Sequence, residues 1–113
     1  MQSEIALQSQ CFLYHWNSYP EQRGLLCYNL NNSANKIQGN INRSLGLIRG
    51  RSDMVYYIKG RAIMLEFKTE VGIQSSEQKE WQSTIEAAGF PYHIIRSFEQ
   101  FKELIENESI NSM

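Results

Sequence analysis

The chain has 113 residues and a formal net charge of −1, a length that fits one domain and leaves too little chain for two separate cores. Its apolar fraction of 42% argues against a disordered chain, and no run of residues approaches the ~18 apolar positions of a membrane helix. The first residues lack the basic and apolar regions of a signal peptide, and two cysteines are too few for a disulfide framework or a zinc knuckle. We therefore expect one domain over residues 1–113, in a reduced cytoplasmic setting and without a membrane.

The first half of the chain alternates between helical and extended patterns. The predicted elements are a helix, a short strand and a second helix, at residues 3–17, 24–30 and 35–45. In the first helix Ile5, Phe12 and Trp16 share one apolar stripe at about 100° per residue. Gly46 directly follows the second helix, where a glycine commonly takes the left-handed conformation that ends a helix.

The second half begins with a β-hairpin. The predicted elements are two strands, a helix, a third strand and a last helix, at residues 54–58, 62–68, 75–88, 90–96 and 97–107. Lys59, Gly60 and Arg61 form the hairpin turn, and the tail over 107–113 is expected to fray. This order of elements, without an internal repeat or a linker, predicts a compact α/β domain.

Two carboxylates and a lysine are expected at one end of this hairpin. Asp53, the only aspartate of the chain, opens the first strand, and Glu66 and Lys68 lie on one face near the end of the second. Residues near the two open ends of a hairpin pair with each other, so Asp53 is expected close to Glu66. Such carboxylates repel unless a cation neutralises them, and Mg²⁺ takes oxygen ligands of this kind. The pattern therefore predicts a divalent-metal site, with Lys68 orienting a water or stabilising developing negative charge. The alternative is an exposed hairpin with an ordinary glutamate–lysine pair.

The small net charge hides a segregation of charge along the chain. Residues 23–68 carry eight lysines or arginines against two acidic residues, a net charge of +6, whereas the segments on both sides are acidic. Five of the basic residues flank the proposed site and predict contact with DNA phosphates, namely Arg43, Arg49, Arg51, Lys59 and Arg61. A solvated surface is the alternative for these side chains.

These residues stand in an order that resembles the PD-(D/E)XK nucleases, and most closely their VRR-NUC (virus-type replication-repair nuclease) branch. The resemblance covers about residues 4–100 and rests on an ordered set of short motifs. They are Glu4 and Gln8 in the first helix, Gly50-Arg51-Ser52-Asp53, Glu66-Phe67-Lys68-Thr69, Ser75-x-x-Gln78-x-x-Trp81, Ala88-Gly89 and Arg96-Ser97. Ser52 departs from the family, which often has a proline before this aspartate.

The resemblance implies a restriction-endonuclease-like α/β fold, a central mixed β-sheet flanked by helices. It implies an Mg²⁺- or Mn²⁺-dependent endonuclease in which Asp53, Glu66 and the Phe67 carbonyl hold the metal and Lys68 is catalytic. The stand-alone viral and bacterial members are homodimers that cut branched DNA such as four-way (Holliday) junctions, which implies the same partner and assembly here, in the cytoplasm of a bacterial or phage-infected cell. The alternatives are a flap or nicking nuclease without junction preference, and a non-catalytic DNA-binding module that kept the fold.

Two further candidates have a structural explanation beside the functional one. Glu4 is a proposed catalytic and metal-site residue, assisting through a second metal or a bound water, but a first-turn glutamate also favours the helix dipole. Gln78 lies on the helix face of Trp81 and Ile85 and is a proposed catalytic residue facing the metal pocket. The spacing Ser75-x-x-Gln78 is also that of a capping box, which would explain the glutamine without any catalytic role.

Overall fold

The computed structural model describes residues 2–30 and 35–111, and its elements follow the predicted order. The helices are α1 Glu4–Ser18, α2 Lys36–Ser44, α3 Ser76–Ala87 and α4 Phe98–Asn111, and the strands are β1 Leu26–Tyr28, β2 Met54–Ile58, β3 Arg61–Phe67 and β4 Tyr92–Ile95. A 3-10 turn, Pro20–Gln22, follows α1. In the part of the chain that the structure describes, every helix is too short or too polar to span a membrane.

The β2–β3 hairpin has a tight two-residue turn. Lys59 and Gly60 both have positive φ, 40° and 76°, a conformation whose twist matches that of the flanking strands. The turn sets an antiparallel register in which Met54 pairs with Leu65 at the open end. The predicted hairpin is confirmed, with the second strand beginning at Arg61.

The four strands form one mixed sheet in the order β1-β2-β3-β4. The first three are antiparallel, and β4 runs parallel to β3 because α3 carries the chain back across the sheet. Ile63, Leu65 and Phe67 face the main core, which α1 and α4 cover. The opposite face packs a smaller cluster under α3, a helix in which no residue is fully buried. The predicted α/β class, a mixed sheet flanked by helices, is confirmed.

The buried side of α1 differs from the expected apolar stripe. Leu7, Cys11 and His15 are the buried residues, at positions i, i+4 and i+8, whereas Ile5 is 82% exposed and Trp16 40% exposed. Cysteine and histidine carry little weight in an apolar periodicity, so the pattern favoured the wrong side. His15 is tolerated inside because its ring is hydrogen-bonded there.

The last helix extends further than expected. Fraying was expected from residue 107 onward, but α4 continues to Asn111. Glu108, within this extension, forms an ion pair with Arg61 at the start of β3. This contact connects the end of α4 to the sheet. Residues 112–113, which belonged to the same expectation, lie outside the described residues.

Candidate active site

Asp53 and Glu66 lie side by side at the open end of the hairpin. Because Met54 pairs with Leu65, the next step of the same register places Asp53 opposite Glu66. Asp53 Oδ2 accepts a hydrogen bond of 2.7 Å from the backbone N–H of Phe67. That bond holds the Asp53 carboxylate against the end of β3, and the predicted proximity of the two carboxylates is confirmed.

The two carboxylate oxygens of Glu66 have different surroundings. The residue is 1% exposed, and Oε1 accepts hydrogen bonds from the Tyr92 hydroxyl and, at 3.1 Å, from Gln74 Nε2. Oε2 is also buried, but no hydrogen-bond partner for it exists among the described residues. An unpaired buried polar atom costs about 1–3 kcal/mol, and more when the group is charged. Oε2 is therefore an oxygen for which a cation would be a favourable partner.

The two groups that donate to Glu66 Oε1 are themselves held in a donating arrangement. Burial, and next the hydrogen bond to Glu66, raises the pKa of Tyr92, so its hydroxyl stays protonated and donates. Gln74 Nε2 donates at the same time to Gln82 Oε1 of α3, at 2.8 Å. These contacts come from β4, from the loop after β3 and from α3, so three parts of the fold hold the Glu66 carboxylate in one orientation.

The turn that leads into Asp53 is anchored by two buried polar residues. Ser52 is fully buried, and its Oγ donates to the carbonyl of Met54 at 3.1 Å. Asn29, just after β1, donates from Nδ2 to the Ser52 carbonyl at 3.2 Å and from its backbone N–H to the Asp53 carbonyl at 2.9 Å. Ser52 therefore holds this turn through a buried hydroxyl hydrogen bond.

The donor set fits a hard divalent cation. Two adjacent carboxylates, one with a buried unpaired oxygen, are ligands of the kind that Mg²⁺ takes, usually with several waters. The Phe67 carbonyl is the next backbone oxygen after Glu66 and stays an expected ligand. Within residues 2–30 and 35–111, no group of three or more His, Cys, Asp or Glu side chains is close enough to hold a metal. The site is therefore built on two carboxylates, and Glu4 is not gathered with them.

On α1, Gln8 rather than Glu4 is the residue that lines a cleft together with Asp53. Gln8 and Asp53 line one cleft of about 510 Å³ between α1 and the neighbouring ends of β1 and β2. Glu4 lies one turn earlier on the helix and is exposed. Its part in metal binding stays a prediction, and from this position it would act from the rim of the cleft.

Lys68 directly follows β3 and is 8% exposed. Its N–H donates to the Ile95 carbonyl at 3.0 Å, and its side chain lines a small cavity of about 140 Å³ together with Arg96. The Arg96 guanidinium donates to the carbonyls of Thr69 and Gly72, at 2.8 and 2.7 Å. Arg96 therefore fixes the loop next to Lys68, while the catalytic role of Lys68 stays a prediction.

Gln78 uses its side chain in the capping box of α3. Its Oε1 accepts from the Ser75 N–H at 2.8 Å, and its own N–H donates to Ser75 Oγ at 3.2 Å. The start of α3 nevertheless lies against the loop before Asp53. Gly50 of that loop (φ +79°) is so close to the Glu77 backbone that a Cβ at this position would stand 2.4 Å from it. The cap accounts for the contacts of Gln78, and its catalytic role stays a prediction.

The five basic residues predicted to contact DNA fall into two groups. Arg49 and Arg51 lie in the loop that leads to the aspartate, and Arg43 lies in the last turn of α2. Lys59 and Arg61 lie at the turn end of the hairpin, about 17 Å from its open end at ~3.3 Å per residue. The expectation that all five flank the site is wrong for Lys59 and Arg61, because the turn and the open end of a hairpin are opposite ends.

Three residues of the site were not predictable as site residues from the amino-acid sequence. Tyr92 contacts Glu66, and Asn29 anchors the turn, only because of how the strands pair. Gln74 reaches Glu66 from the loop after β3. The one available signal was Tyr92, a tyrosine on a largely apolar strand, whose hydroxyl needs a partner when the ring is buried.

Comparison with known proteins supports the fold. No family model and no curated protein matches the chain. Among solved structures the chain is similar to a VRR_NUC domain protein, with a TM-score of 0.72 over 96% of this chain and 88% of that chain. The two sequences are 14% identical, so the likeness concerns the fold. The chain therefore has the fold of that VRR_NUC domain protein, as the sequence resemblance implied.

Proposed function

We propose that this protein is a divalent-metal-dependent DNA endonuclease. The observation that carries the proposal is Glu66, a carboxylate that is 1% exposed, lies beside Asp53 and keeps one buried oxygen unpaired among the described residues. Buried polar atoms with a purely structural role are almost always hydrogen-bonded. A carboxylate oriented by two donors on one oxygen and open on the other is what a metal ligand requires. The VRR_NUC fold is the second support.

Asp53, Glu66 and the Phe67 carbonyl would hold Mg²⁺ or Mn²⁺. When bound, the metal supplies Lewis-acid polarisation of the scissile phosphodiester. Tyr92 and Gln74 keep the Glu66 carboxylate in its orientation through Oε1. Lys68, two residues after Glu66 in the sequence, would orient the attacking water or stabilise the negative charge that develops on the phosphate oxygens.

We propose branched DNA as the substrate, four-way junctions first, and a homodimer as the active form in the cytoplasm of a bacterial or phage-infected cell. Arg43, Arg49 and Arg51 support DNA binding, because they lie in the +6 segment and precede the site. A homodimer is supported by exposed apolar side chains at α2, because Ile37 and Ile41 of the helix and Leu45 directly after it lie four residues apart and are 75%, 48% and 79% exposed. A two-fold dimer would present two sites to the two strands of a junction.

The test is a cleavage assay with Glu66→Gln and a matched control, Glu103→Gln, on the exposed side of α4. Each protein is incubated with duplex, flap, fork and four-way junction DNA, in Mg²⁺, in Mn²⁺ and in EDTA. We expect the wild type and Glu103→Gln to cut branched DNA in either metal and not in EDTA, and Glu66→Gln to be inactive.

Binding of branched DNA without cleavage in any metal would favour a non-catalytic module instead. Single cuts by a monomer would favour a nicking or flap nuclease. Paired symmetric cuts, together with a dimer mass in light scattering, would favour junction resolution.

A further inference from the structure

The cleft beside Asp53 is larger than a metal and a phosphate require. Its volume of about 510 Å³ lies within the ~300–1,000 Å³ range of sites for small organic groups. Ile5, Gln8 and Phe12 of α1 form one wall, and Tyr28 and Asp53 form the other. The lining is mostly apolar, with a few polar groups, which is the composition of a binding site for a flat organic ring rather than for an ion.

Two aromatic side chains face this space. Tyr28 is 65% exposed at the end of β1, directly opposite Met54 in the register, so it lies next to Asp53. Phe12 is half-buried and held by stacking on Trp16, with ring centroids 5.9 Å apart. Exposed aromatic rings beside a nucleic-acid site provide surfaces on which bases stack, whatever the base.

The charge of the lining excludes a phosphate as the occupant of the cleft. Within the part of the chain that the structure describes, Asp53 is the one charged residue that lines it, and no lysine or arginine takes part. Beyond the metal site itself, a phosphate in the cleft would have no cationic partner, whereas an uncharged ring needs none. Gln8 adds an amide, which can donate to and accept from the edge of a base.

We propose that this cleft binds one unstacked nucleobase of the DNA strand whose phosphate lies at Asp53 and Glu66. The inference rests on the proposed function and adds a second determinant of the substrate. Taking a base out of a duplex costs a few kcal/mol, and the cost is lowest where bases are already unpaired. The cleft would therefore favour DNA with unpaired or loosely stacked bases next to the cut, which branched DNA supplies.

The experiment measures binding in EDTA, so that no cleavage is required. Four-way junctions carry a single 2-aminopurine, moved one position at a time across the branch, and its fluorescence is recorded as protein is added. The variants are Tyr28→Ala, Phe12→Leu and the control Tyr57→Ala, an exposed tyrosine (46%) that lines a different cavity near the hairpin turn. A second series of junctions has an abasic site at the responding position.

We expect a fluorescence change at one branch position with the wild type and Tyr57→Ala, and its loss with Tyr28→Ala and Phe12→Leu. Loss of one stacked base should weaken the binding of Tyr28→Ala by about 5- to 150-fold. On abasic junctions Tyr28→Ala and the wild type should bind within about two-fold of each other.

Three results would overturn the inference. The first is a 2-aminopurine fluorescence that stays unchanged at every position with the wild type. The second is an equal fluorescence change with Tyr28→Ala and the wild type. The third is a Tyr28→Ala protein that differs from the wild type only in its oligomeric mass. The last would assign the cleft to a second copy of the chain. Because the readout needs neither metal nor cleavage, a failure of this inference is distinguishable from a failure of the proposed metal-dependent cleavage.

Discussion

The polar network buried in the main core contrasts with the one at the open end of the hairpin. In the core, Gln22 Oε1 accepts from His15 Nε2 at 3.0 Å and from the Tyr56 hydroxyl at 2.6 Å. Gln22 Nε2 donates to Ser109 Oγ at 3.0 Å. His15 and Tyr56 are 1% and 0% exposed, so α1, β2 and α4 are connected inside the protein by hydrogen bonds that leave none of these buried atoms without a partner.

At the open end of the hairpin, Tyr92 and Gln74 satisfy only one oxygen of Glu66. Both networks are equally buried, so burial alone does not separate structure from function. The networks differ in whether every buried polar atom has a hydrogen-bond partner. In the core network every such atom has one, and we call this network closed. At the hairpin Glu66 Oε2 has none among the described residues, so this open network keeps a strong acceptor for a ligand. Each prediction below breaks one network and leaves the other intact.

The largest effect is expected from removing the Asp53 charge. Asp53→Ala should lower the rate of DNA cleavage by about 10³-fold or more, because a metal-dependent hydrolysis loses its first ligand. Asp53→Asn is the sharper variant, since an amide oxygen can still accept from the Phe67 N–H and preserve the turn. Both proteins should unfold within a few degrees of the wild type. An Asp53→Asn protein that cuts at the wild-type rate would remove this residue from the site.

The second largest effect is expected from opening the closed network. Gln22→Leu leaves the buried groups of His15 and Tyr56 without their acceptor, at a cost of about 2–4 kcal/mol in the free energy of unfolding. Urea unfolding measures this loss, and the cleavage rate per folded molecule should not change. Gln10→Leu, an exposed residue of α1, is the matched control and should lie within about 0.5 kcal/mol of the wild type. Equal stability of the two variants would contradict a structural role for the core network.

These two networks also show how far the sequence could be interpreted. The hairpin and the pairing of Asp53 with Glu66 were predictable, because turn chemistry and strand register are local. Tyr92 was not recognised as a partner of Glu66, because that contact depends on the parallel pairing of β3 and β4 after a crossover helix. The burial of His15 could not be predicted either, because it depends on a glutamine supplied by the turn after α1.

A smaller effect is expected on thermal stability when a metal binds at Glu66, a measurement that needs no catalysis. Adding Mg²⁺ or Mn²⁺ should raise the unfolding temperature of the wild type, by the equivalent of about 2.7 kcal/mol at a metal concentration of ~100 times Kd. Glu66→Gln should lose this gain and, in EDTA, be at least as stable as the wild type, because an uncharged side chain replaces a buried carboxylate. Differential scanning fluorimetry with Ca²⁺, Mg²⁺ and Mn²⁺ measures both. A Glu66→Gln protein that is stabilised by metal as much as the wild type would assign the metal to other ligands.

The smallest effect is a pH dependence of stability that comes from the closed network. Burial lowers the pKa of His15, outweighing the hydrogen bond with Gln22 and the nearby Glu21, both of which raise it. The unfolded chain, with a histidine pKa of ~6.5, therefore takes up the proton first as the pH falls. Stability contributed by neutral His15 is complete above ~6.5 and decreases below it, by at most about 1.4 kcal/mol per pH unit, until the folded form is protonated as well.

His15→Gln should flatten this slope, because an amide can donate to Gln22 without titrating. His93→Gln is the matched control, since it removes the other histidine and leaves the core network intact, so it should keep the wild-type slope. Urea unfolding at several pH values between 5 and 7.5 measures the three proteins. If His15→Gln kept the wild-type slope, the acid sensitivity would arise elsewhere. The core network would then be independent of pH in this range, although still closed.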